Sequence, residues 1–212
     1  MVLLHPELAK PVGIYPFLKF AEYLLPYTHT HVFSSSRHYV TTSLRHFVIV
    51  IVIVMKKELN SIGIDAKKAK DLIHDLNELL ANYSVFYQNV RGFHWNIRGE
   101  KFFELHLKFE ELYTDLQLKI DEIAERILTL GGTPDHSFAS YLRDSRVKPV
   151  ENVKDGKVAV RSILTSFTDL LTIQREILVL SSEASDEGTN ALMSDYIRQQ
   201  EKLVWMYSAS LG

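Results

Sequence analysis

The sequence predicts an all-α protein, a four-helix bundle in which one long crossover connects two helical hairpins. Two observations support this fold class. Four long stretches carry apolar side chains at helical spacing, and a link of more than twenty residues with two prolines separates the second stretch from the third. A bundle of about 150 residues buries close to 70% of its unfolded surface, so the predicted core is large enough for a stable domain.

The first two helices form a predicted antiparallel hairpin. Asp65 is a suitable N-cap for a helix over about residues 66–95, and a short turn from Asn96 to Gly99 leads into a second helix over residues 100–130. Gly131 and Gly132 then provide a strong C-terminal stop. The buried stripe of the first helix is Leu72, Leu76, Leu79, Leu80, Tyr83, Phe86, Tyr87, Val90 and His94. In the second helix nine residues fall in a sector about 80° wide, namely Phe102, Leu105, Phe109, Leu112, Leu116, Ile120, Ile123, Ile127 and Leu130.

The second half of the chain predicts the crossover and two more helices. The link covers about residues 133–155 and contains a predicted short helix from Ser137 to Arg143. A third helix is expected over residues 158–182, and a fourth follows Gly188 over residues 189–209. Their inward-facing residues are Val160, Ile163, Leu164, Phe167, Leu170, Leu171, Ile177 and Leu178, then Leu192, Tyr196, Leu203 and Tyr207.

Residues 1–54 differ in composition from the rest and are predicted to lie outside the functional domain, residues 55–212. They hold four of the six prolines, five of the nine histidines and most of the apolar run that ends at Met55. Nine apolar residues are too few for a membrane-spanning helix, and no signal-peptide pattern is evident. One interpretation is that Met55 is the true initiator. The other is a genuine extension whose β-branched run pairs as a strand. Intact-mass analysis of the native protein distinguishes the two.

Composition excludes several classes of function. The net charge is −2, which argues against a polycationic nucleic-acid binder, although a local basic patch is possible. The absence of cysteine excludes a disulfide framework and a thiolate site, and it is compatible with a reducing compartment. The sequence contains neither a glycine-rich phosphate loop nor zinc-finger spacing or a nucleophile elbow.

A second cluster on the second helix suggests a metal site. His106, Glu110, Asp121 and Glu125 occupy a sector about 100° wide beside the apolar stripe. His94 ends the apolar pattern of the first helix. Two imidazoles and three carboxylates are a plausible ligand set for iron or another first-row metal. The competing interpretation of such a cluster is a solvated helix flank.

The spacing of these residues predicts that two chains share the site. Glu110 and Asp121 are eleven residues apart in the sequence, which is about 16 Å along a helix axis. They therefore cannot bind one ion within a single chain. Two antiparallel copies of the helix, related by a two-fold axis near residues 113–117, would set His106 and Glu110 of one chain opposite Asp121 and Glu125 of the other.

At these residues the sequence closely resembles the Dps family, the ferritin-like DNA-binding proteins from starved cells. The matching motifs are Gly92-Phe93-His94-Trp95-Asn96, Phe102-Phe103-Glu104-Leu105-His106 and Asp121-Glu122-Ile123-Ala124-Glu125-Arg126, and the resemblance runs from about residue 55 to residue 211. It implies a ferritin-like bundle and a hollow shell of twelve subunits. It also implies a ferroxidase that oxidises Fe(II), preferably with hydrogen peroxide, and stores ferric mineral.

Carried over residue by residue, the resemblance makes His94, His106 and Glu110 ligands from one subunit, and Asp121 and Glu125 ligands from its two-fold mate. Glu110 stands where many relatives carry Asp, which preserves the charge but changes the reach. The helices contain no Glu-x-x-His pair, which argues against a di-iron centre within one subunit. The implied cofactor is iron (Fe2+/Fe3+), the implied assembly is a homododecamer, and the expected location is the cytoplasm without membrane contact.

Three further expectations remain open at this stage. Asp186, Glu187 and Asp195 are candidates for the acidic three-fold pore of the family, although acids at the start of a helix are equally explained by capping. Trp95 either packs at an interface or scavenges stray oxidising equivalents. The alternative function is coverage of DNA through lysines, for which the chain after Met55 offers Lys56, Lys57, Lys67, Lys68 and Lys70.

Overall fold

A computed structural model of the chain describes residues 58–212. In that part the chain forms five helices and no β-strand: α1 (Ala66–Asn96), α2 (Phe102–Thr129), α3 (Phe138–Asp144), α4 (Gly156–Ala184) and α5 (Glu187–Ala209). Helix α1 packs against α2, α3 and α4, and α4 packs against α5. The predicted bundle, with a short helix in its crossover, is confirmed, and each helix begins and ends within about two residues of its predicted limits.

Local signals in the sequence explain where the helices begin and end. The side chains of Asp65, Asp155 and Asp186 cap α1, α4 and α5, and each accepts a hydrogen bond from the backbone N–H three residues later. Helix α2 ends before Gly131, whose φ of 92° lies in the left-handed region that favours glycine. The caps set the lengths of the helices and so the positions of the side chains described below.

The predicted apolar stripes form the core. None of the nine stripe residues of α2 is exposed, and the α1 stripe is buried except for Tyr87, which is half-buried. One polar layer interrupts this core. Gln174 Nε2 donates to the Tyr83 hydroxyl at 2.9 Å and to Gln200 Oε1 at 3.1 Å, and Gln200 also donates to the Tyr83 hydroxyl. Burial raises the pKa of Tyr83, so its hydroxyl stays protonated.

Two buried asparagines fix the crossover to α1. Asn82 Oδ1 accepts from the backbone N–H of Val147 at 3.0 Å. Asn89 donates to the carbonyl of Lys148 and accepts from the N–H of Val150, both at 2.9 Å. Because each amide satisfies backbone groups that would otherwise be buried without partners, the crossover is tied to one place on the bundle.

The structure does not describe residues 1–57, and predictions about them are not tested. The boundary near Met55 and the apolar run before it fall outside the described residues, so both interpretations of residues 1–54 stay predictions. Among the helices of residues 58–212, none combines the length and the hydropathy needed to cross a membrane.

Candidate metal centre

Two imidazoles meet where the end of α1 faces the first turns of α2. The rings of His94 and His106 are stacked, with centroids 3.8 Å apart and an interplanar angle of 20°. His94 Nδ1 lies 2.8 Å from the carbonyl oxygen of His106, and His106 Nδ1 lies 2.9 Å from the carbonyl oxygen of His94. These reciprocal contacts join the two helices of the hairpin at this end.

The same contacts decide which ring nitrogen is available for a metal ion. A carbonyl oxygen only accepts hydrogen bonds, so Nδ1 of each ring donates and carries the proton. With Nδ1 as the donor, Nε2 is the nitrogen of each ring that can bind a metal ion, as metal-binding histidines commonly do.

Two aromatic side chains enclose the pair of imidazoles. The Phe102 ring stacks on His106 with centroids 5.1 Å apart, and the Tyr113 ring meets His94 edge-on at 5.3 Å. His94 itself is only 9% exposed. Packing among the four rings restricts rotation of both imidazoles. This reduces the entropy that is lost when the rings are ordered around an ion. The sequence placed Phe102 in the core stripe and did not single out Tyr113.

The three candidate carboxylates lie on the exposed surface of α2. Glu110, Asp121 and Glu125 are exposed, and their carboxylates make no ion pair or hydrogen bond within residues 58–212. The acids on the side of α2 that faces α5 behave differently. Asp115 pairs with Lys119 and Glu122 accepts from Tyr196. The three carboxylates proposed as ligands thus have no partner within the described part of the chain, a property that they share on α2 with Glu104.

One chain does not bring these residues together. In the described part of the chain, no group of three or more histidine, aspartate or glutamate side chains could hold a metal ion. His106 and Glu110 lie near the start of α2 with His94 of α1 beside them, and Asp121 and Glu125 lie about three to five turns further along α2. One chain therefore does not assemble the predicted ligands by itself within residues 58–212, and a site shared with a second chain stays a prediction.

Large apolar side chains surround the predicted ligands on α2. Phe103 is 86% exposed, and Leu107, Leu118 and Leu128 are 53%, 63% and 59% exposed. At 100° per residue these four residues share one sector of α2 with Glu110, Asp121 and Glu125. We call this sector the α2 outer face. Exposed apolar residues in such a row are typical of a surface that another protein covers.

Trp95 lies next to this region, at the end of α1. It is 57% exposed, and the Arg91 guanidinium lies 4.6 Å from its ring and 5.2 Å from the ring of Tyr87. The exposed part of the indole is not packed against the described part of the chain. Interface packing and scavenging of oxidising equivalents both remain as predictions for this residue.

Asp186, one of the pore candidates, has a structural role. It is 2% exposed, caps α5 and accepts from the Arg126 guanidinium. Burial by itself would raise the pKa of Asp186, but the hydrogen bonds from Thr189 and Arg126 outweigh it and hold the pKa below its ordinary value. Capping therefore accounts for Asp186 within one chain, and its place in a pore stays a prediction. Glu187 and Asp195 are exposed and stay predictions for a pore.

Comparison with known proteins identifies similar chains over the helical part. Residues 73–212 match the family model of the ferritin-like domain. The chain is 45% identical to a DNA protection during starvation protein of Porphyromonas gingivalis, over 73% of this chain and 98% of that protein. It is 53% identical to an uncharacterised protein of Haemophilus influenzae, over 71% of this chain and 94% of that protein.

Solved structures agree with the sequence comparison. A crystal structure of a Dps protein from Vibrio cholerae O1, described as a member of the ferritin-like diiron-carboxylate superfamily, matches with 57% identity and a TM-score of 0.72, covering 73% of this chain and 97% of that one. A Dps protein from Bacillus brevis matches with 35% identity and a TM-score of 0.67, covering 69% and 98%.

Proposed function

The chain belongs to the Dps family of ferritin-like proteins, and on that premise we propose that it is a ferroxidase that detoxifies and stores iron. It oxidises Fe(II) with hydrogen peroxide or dioxygen at sites shared between two subunits. Ferric mineral is stored inside a hollow shell of twelve subunits, and DNA is protected because Fe(II) and peroxide are removed together. His94, His106 and Glu110 of one subunit, with Asp121 and Glu125 of its mate, bind the Fe(II).

The observation that carries this proposal is the symmetry of the α2 outer face. If two α2 helices run antiparallel with the axis between residues 115 and 116, His106 of one chain faces Glu125 of the other, and Glu110 faces Asp121. The same register sets Phe103 opposite Leu128. One register thus covers the exposed apolar side chains and gives each group of unpaired acids its missing ligands. It agrees with the axis that the sequence predicts near residues 113–117.

The ligand set suits iron as the substrate. Imidazole nitrogen and carboxylate oxygen both bind first-row divalent metals, and the two Nε2 atoms provide affinity for Fe(II). Three carboxylates supply negative charge that stabilises Fe(III) more than Fe(II), so they favour oxidation. Peroxide accepts one electron from each of two Fe(II) ions and, with two protons, becomes two water molecules. No hydroxyl radical is released in that stoichiometry.

Simple coverage of DNA is the alternative, and no contact among residues 58–212 favours it. Lys67, Lys68 and Lys70 lie in the first turns of α1, where Asp65 and Asp71 flank them, whereas Lys56 and Lys57 lie outside the described residues. The Lys68 ammonium also donates to the backbone carbonyl of Glu183. A mobility-shift assay at low and moderate salt would support the alternative if it showed tight, salt-sensitive retention of DNA.

Anaerobic loading with Fe(II) followed by hydrogen peroxide tests the proposed function. We expect ferric absorbance to rise rapidly, with one peroxide consumed for every two Fe(II), and soluble ferric mineral to accumulate on further additions. Light scattering on the same sample reports the size of the assembly. A protein that binds no Fe(II), or that oxidises it no faster than buffer, would contradict the proposal.

A further inference from the structure

Helix α5 contacts the side of α2 that does not carry the candidate ligands. Three side chains of α2 reach α5 through polar groups: Lys119, Glu122 and Arg126. We propose that this polar ladder is a positioning device, which fixes the rotation of α2 about its own axis and so aims Asp121 and Glu125 at the shared metal site. The inference rests on the proposed function, because it assigns these two acids to that site.

The first rung is a buried ammonium. Lys119 is 5% exposed, an unusual position for a lysine. Its Nζ lies 2.6 Å from Asp115 Oδ1, 3.1 Å from Gln199 Oε1 on α5, and 5.0 Å from the centroid of the Tyr196 ring. Because a buried cation needs all its partners, this contact fixes α2 and α5 relative to each other.

The second rung is a phenol bound to a carboxylate. Tyr196 belongs to α5 and its side chain is buried, and its hydroxyl donates to Glu122 Oε2 on α2. Burial, together with that hydrogen bond, raises the pKa of Tyr196, so the hydroxyl remains a donor. Because the Tyr196 hydroxyl is held in the core, its hydrogen bond fixes the position of the Glu122 carboxylate on α2.

The third contact of the polar ladder is made by the guanidinium of Arg126. Arg126 Nε donates to Thr189 Oγ1 at 2.8 Å, and its Nη2 donates to the buried carboxylate of Asp186. A Cβ atom on Gly188 would lie 2.9 Å from Arg126 Nη1, so the guanidinium rests directly on the first turn of α5. A side chain at that position would require the guanidinium to shift.

The placement of the rungs connects them to the ligands. Residues 119, 122 and 126 are spaced three and four apart and lie on one side of α2, whereas Asp121 and Glu125 alternate with them on another side. A rotation of α2 by about 20° would move a carboxylate some 6 Å from the helix axis by about 2 Å. Metal sites tolerate much smaller errors than that.

The apolar contacts between α1 and α2 do not set this rotation as tightly. Apolar side chains tolerate repacking when their total volume is kept, whereas a hydrogen bond weakens steeply with distance and angle. The polar ladder therefore supplies the directional constraint. It acts on the half of α2 that offers ligands to the partner, while the stacked histidines constrain the other half.

Two variants with matched controls test the positioning role. Arg126→Met removes the guanidinium and its hydrogen bonds to Thr189 and Asp186, and Tyr196→Phe removes one hydroxyl while keeping the ring. The matched controls are Arg146→Met, which removes an arginine fork between Glu78 and Glu176, and Tyr83→Phe, which removes a buried hydroxyl bound to two glutamines. Neither control residue contacts α2 through these groups.

Co(II) is the probe, since its visible absorption reports the geometry of its ligands. We expect Arg126→Met and Tyr196→Phe to fold and to keep the wild-type assembly, to bind Co(II) about 10–100-fold more weakly, and to show an altered spectrum. The KM for Fe(II) should rise more than kcat falls. The controls should lose stability but keep the wild-type Co(II) affinity and spectrum.

Three results would overturn the inference, two from the ladder variants and one from Glu122→Gln. One is a wild-type Co(II) spectrum and affinity in both ladder variants. The second is an equal loss of Co(II) affinity in the ladder variants and the controls, which would show that these contacts contribute only to general stability. Glu122→Gln, which keeps an acceptor for Tyr196, should retain the wild-type spectrum, and loss there would also contradict the proposal. Failure of the proposed function is distinguishable, because the wild-type protein would then neither bind Co(II) nor oxidise Fe(II).

Discussion

Replacing both His106 and Asp121 by alanine should abolish the fast oxidation of Fe(II) by hydrogen peroxide. In the antiparallel register each shared site takes His106 from one chain and Asp121 from the other, so the double variant loses two of five ligands at every site. Substitutions that only touch the surroundings of a metal commonly cost 10–100-fold, so removal of two ligands should slow oxidation by at least about 100-fold. Stopped-flow ferric absorbance after anaerobic loading measures the rate.

The matched control removes the same residue types elsewhere on the surface. His74 and Asp71 are exposed on α1, far along that helix from His94, and His74→Ala/Asp71→Ala should oxidise Fe(II) at the wild-type rate. Both double variants should keep the wild-type assembly by light scattering. An unchanged oxidation rate in the His106 and Asp121 variant would refute the assignment of the site.

Leu118→Glu should remove activity while every proposed ligand is still present. Leu118 is 63% exposed in one chain, so the substitution should do little to the monomer. In the paired helices it faces Tyr113 of the mate, close to the two-fold axis, and two unpaired carboxylates would then be buried in one interface. Such burial costs several kcal/mol, and each 1.4 kcal/mol is a tenfold loss of affinity. We therefore expect a folded monomer that does not turn over.

Size-exclusion chromatography with light scattering, circular dichroism and the iron assay together measure this result. Val179→Glu provides the control, because Val179 is 59% exposed on α4 and lies outside the α2 outer face. A Leu118→Glu protein that still dimerises would place the interface elsewhere. A monomeric variant with full activity would contradict the shared site itself.

Most of the fold could be predicted because its signals are local. Asp65 is followed by a helical apolar pattern, and Gly131 interrupts one, so the ends of α1 and α2 could be placed from neighbouring residues alone. The buried stripes follow from the periodicity of apolar residues. The crossover was also recognisable, because two prolines and a weak pattern separate the second and third helices.

Contacts between distant residues were the part that the sequence did not reveal. Lys119 looks like an exposed side chain in the helical pattern, but its partner Gln199 is 80 residues away. Asp186 was recognisable as a possible cap, but its ion pair with Arg126, 60 residues earlier, was not. Burial of a polar group depends on partners that periodicity does not encode.

For the candidate site, the sequence could indicate the proposed ligands but not the contacts that hold them. The proposed ligand types follow from side-chain chemistry, and the proposal of a second chain follows from the helical rise between Glu110 and Asp121; both stay predictions. The mutual hydrogen bonds of His94 and His106 do not follow from the sequence, since they depend on how the end of α1 meets the start of α2. Those bonds are what distinguish these rings from ordinary core histidines.

A complementation experiment tests the shared site most directly. One chain carries His94→Ala and His106→Ala, and the other carries Asp121→Ala and Glu125→Ala, so each alone should be inactive. In an equal mixture refolded together, about half of the dimers are mixed and each mixed dimer has one intact site, which should restore about a quarter of the wild-type oxidation rate. If every site were built from one chain, the mixture would stay as inactive as its components.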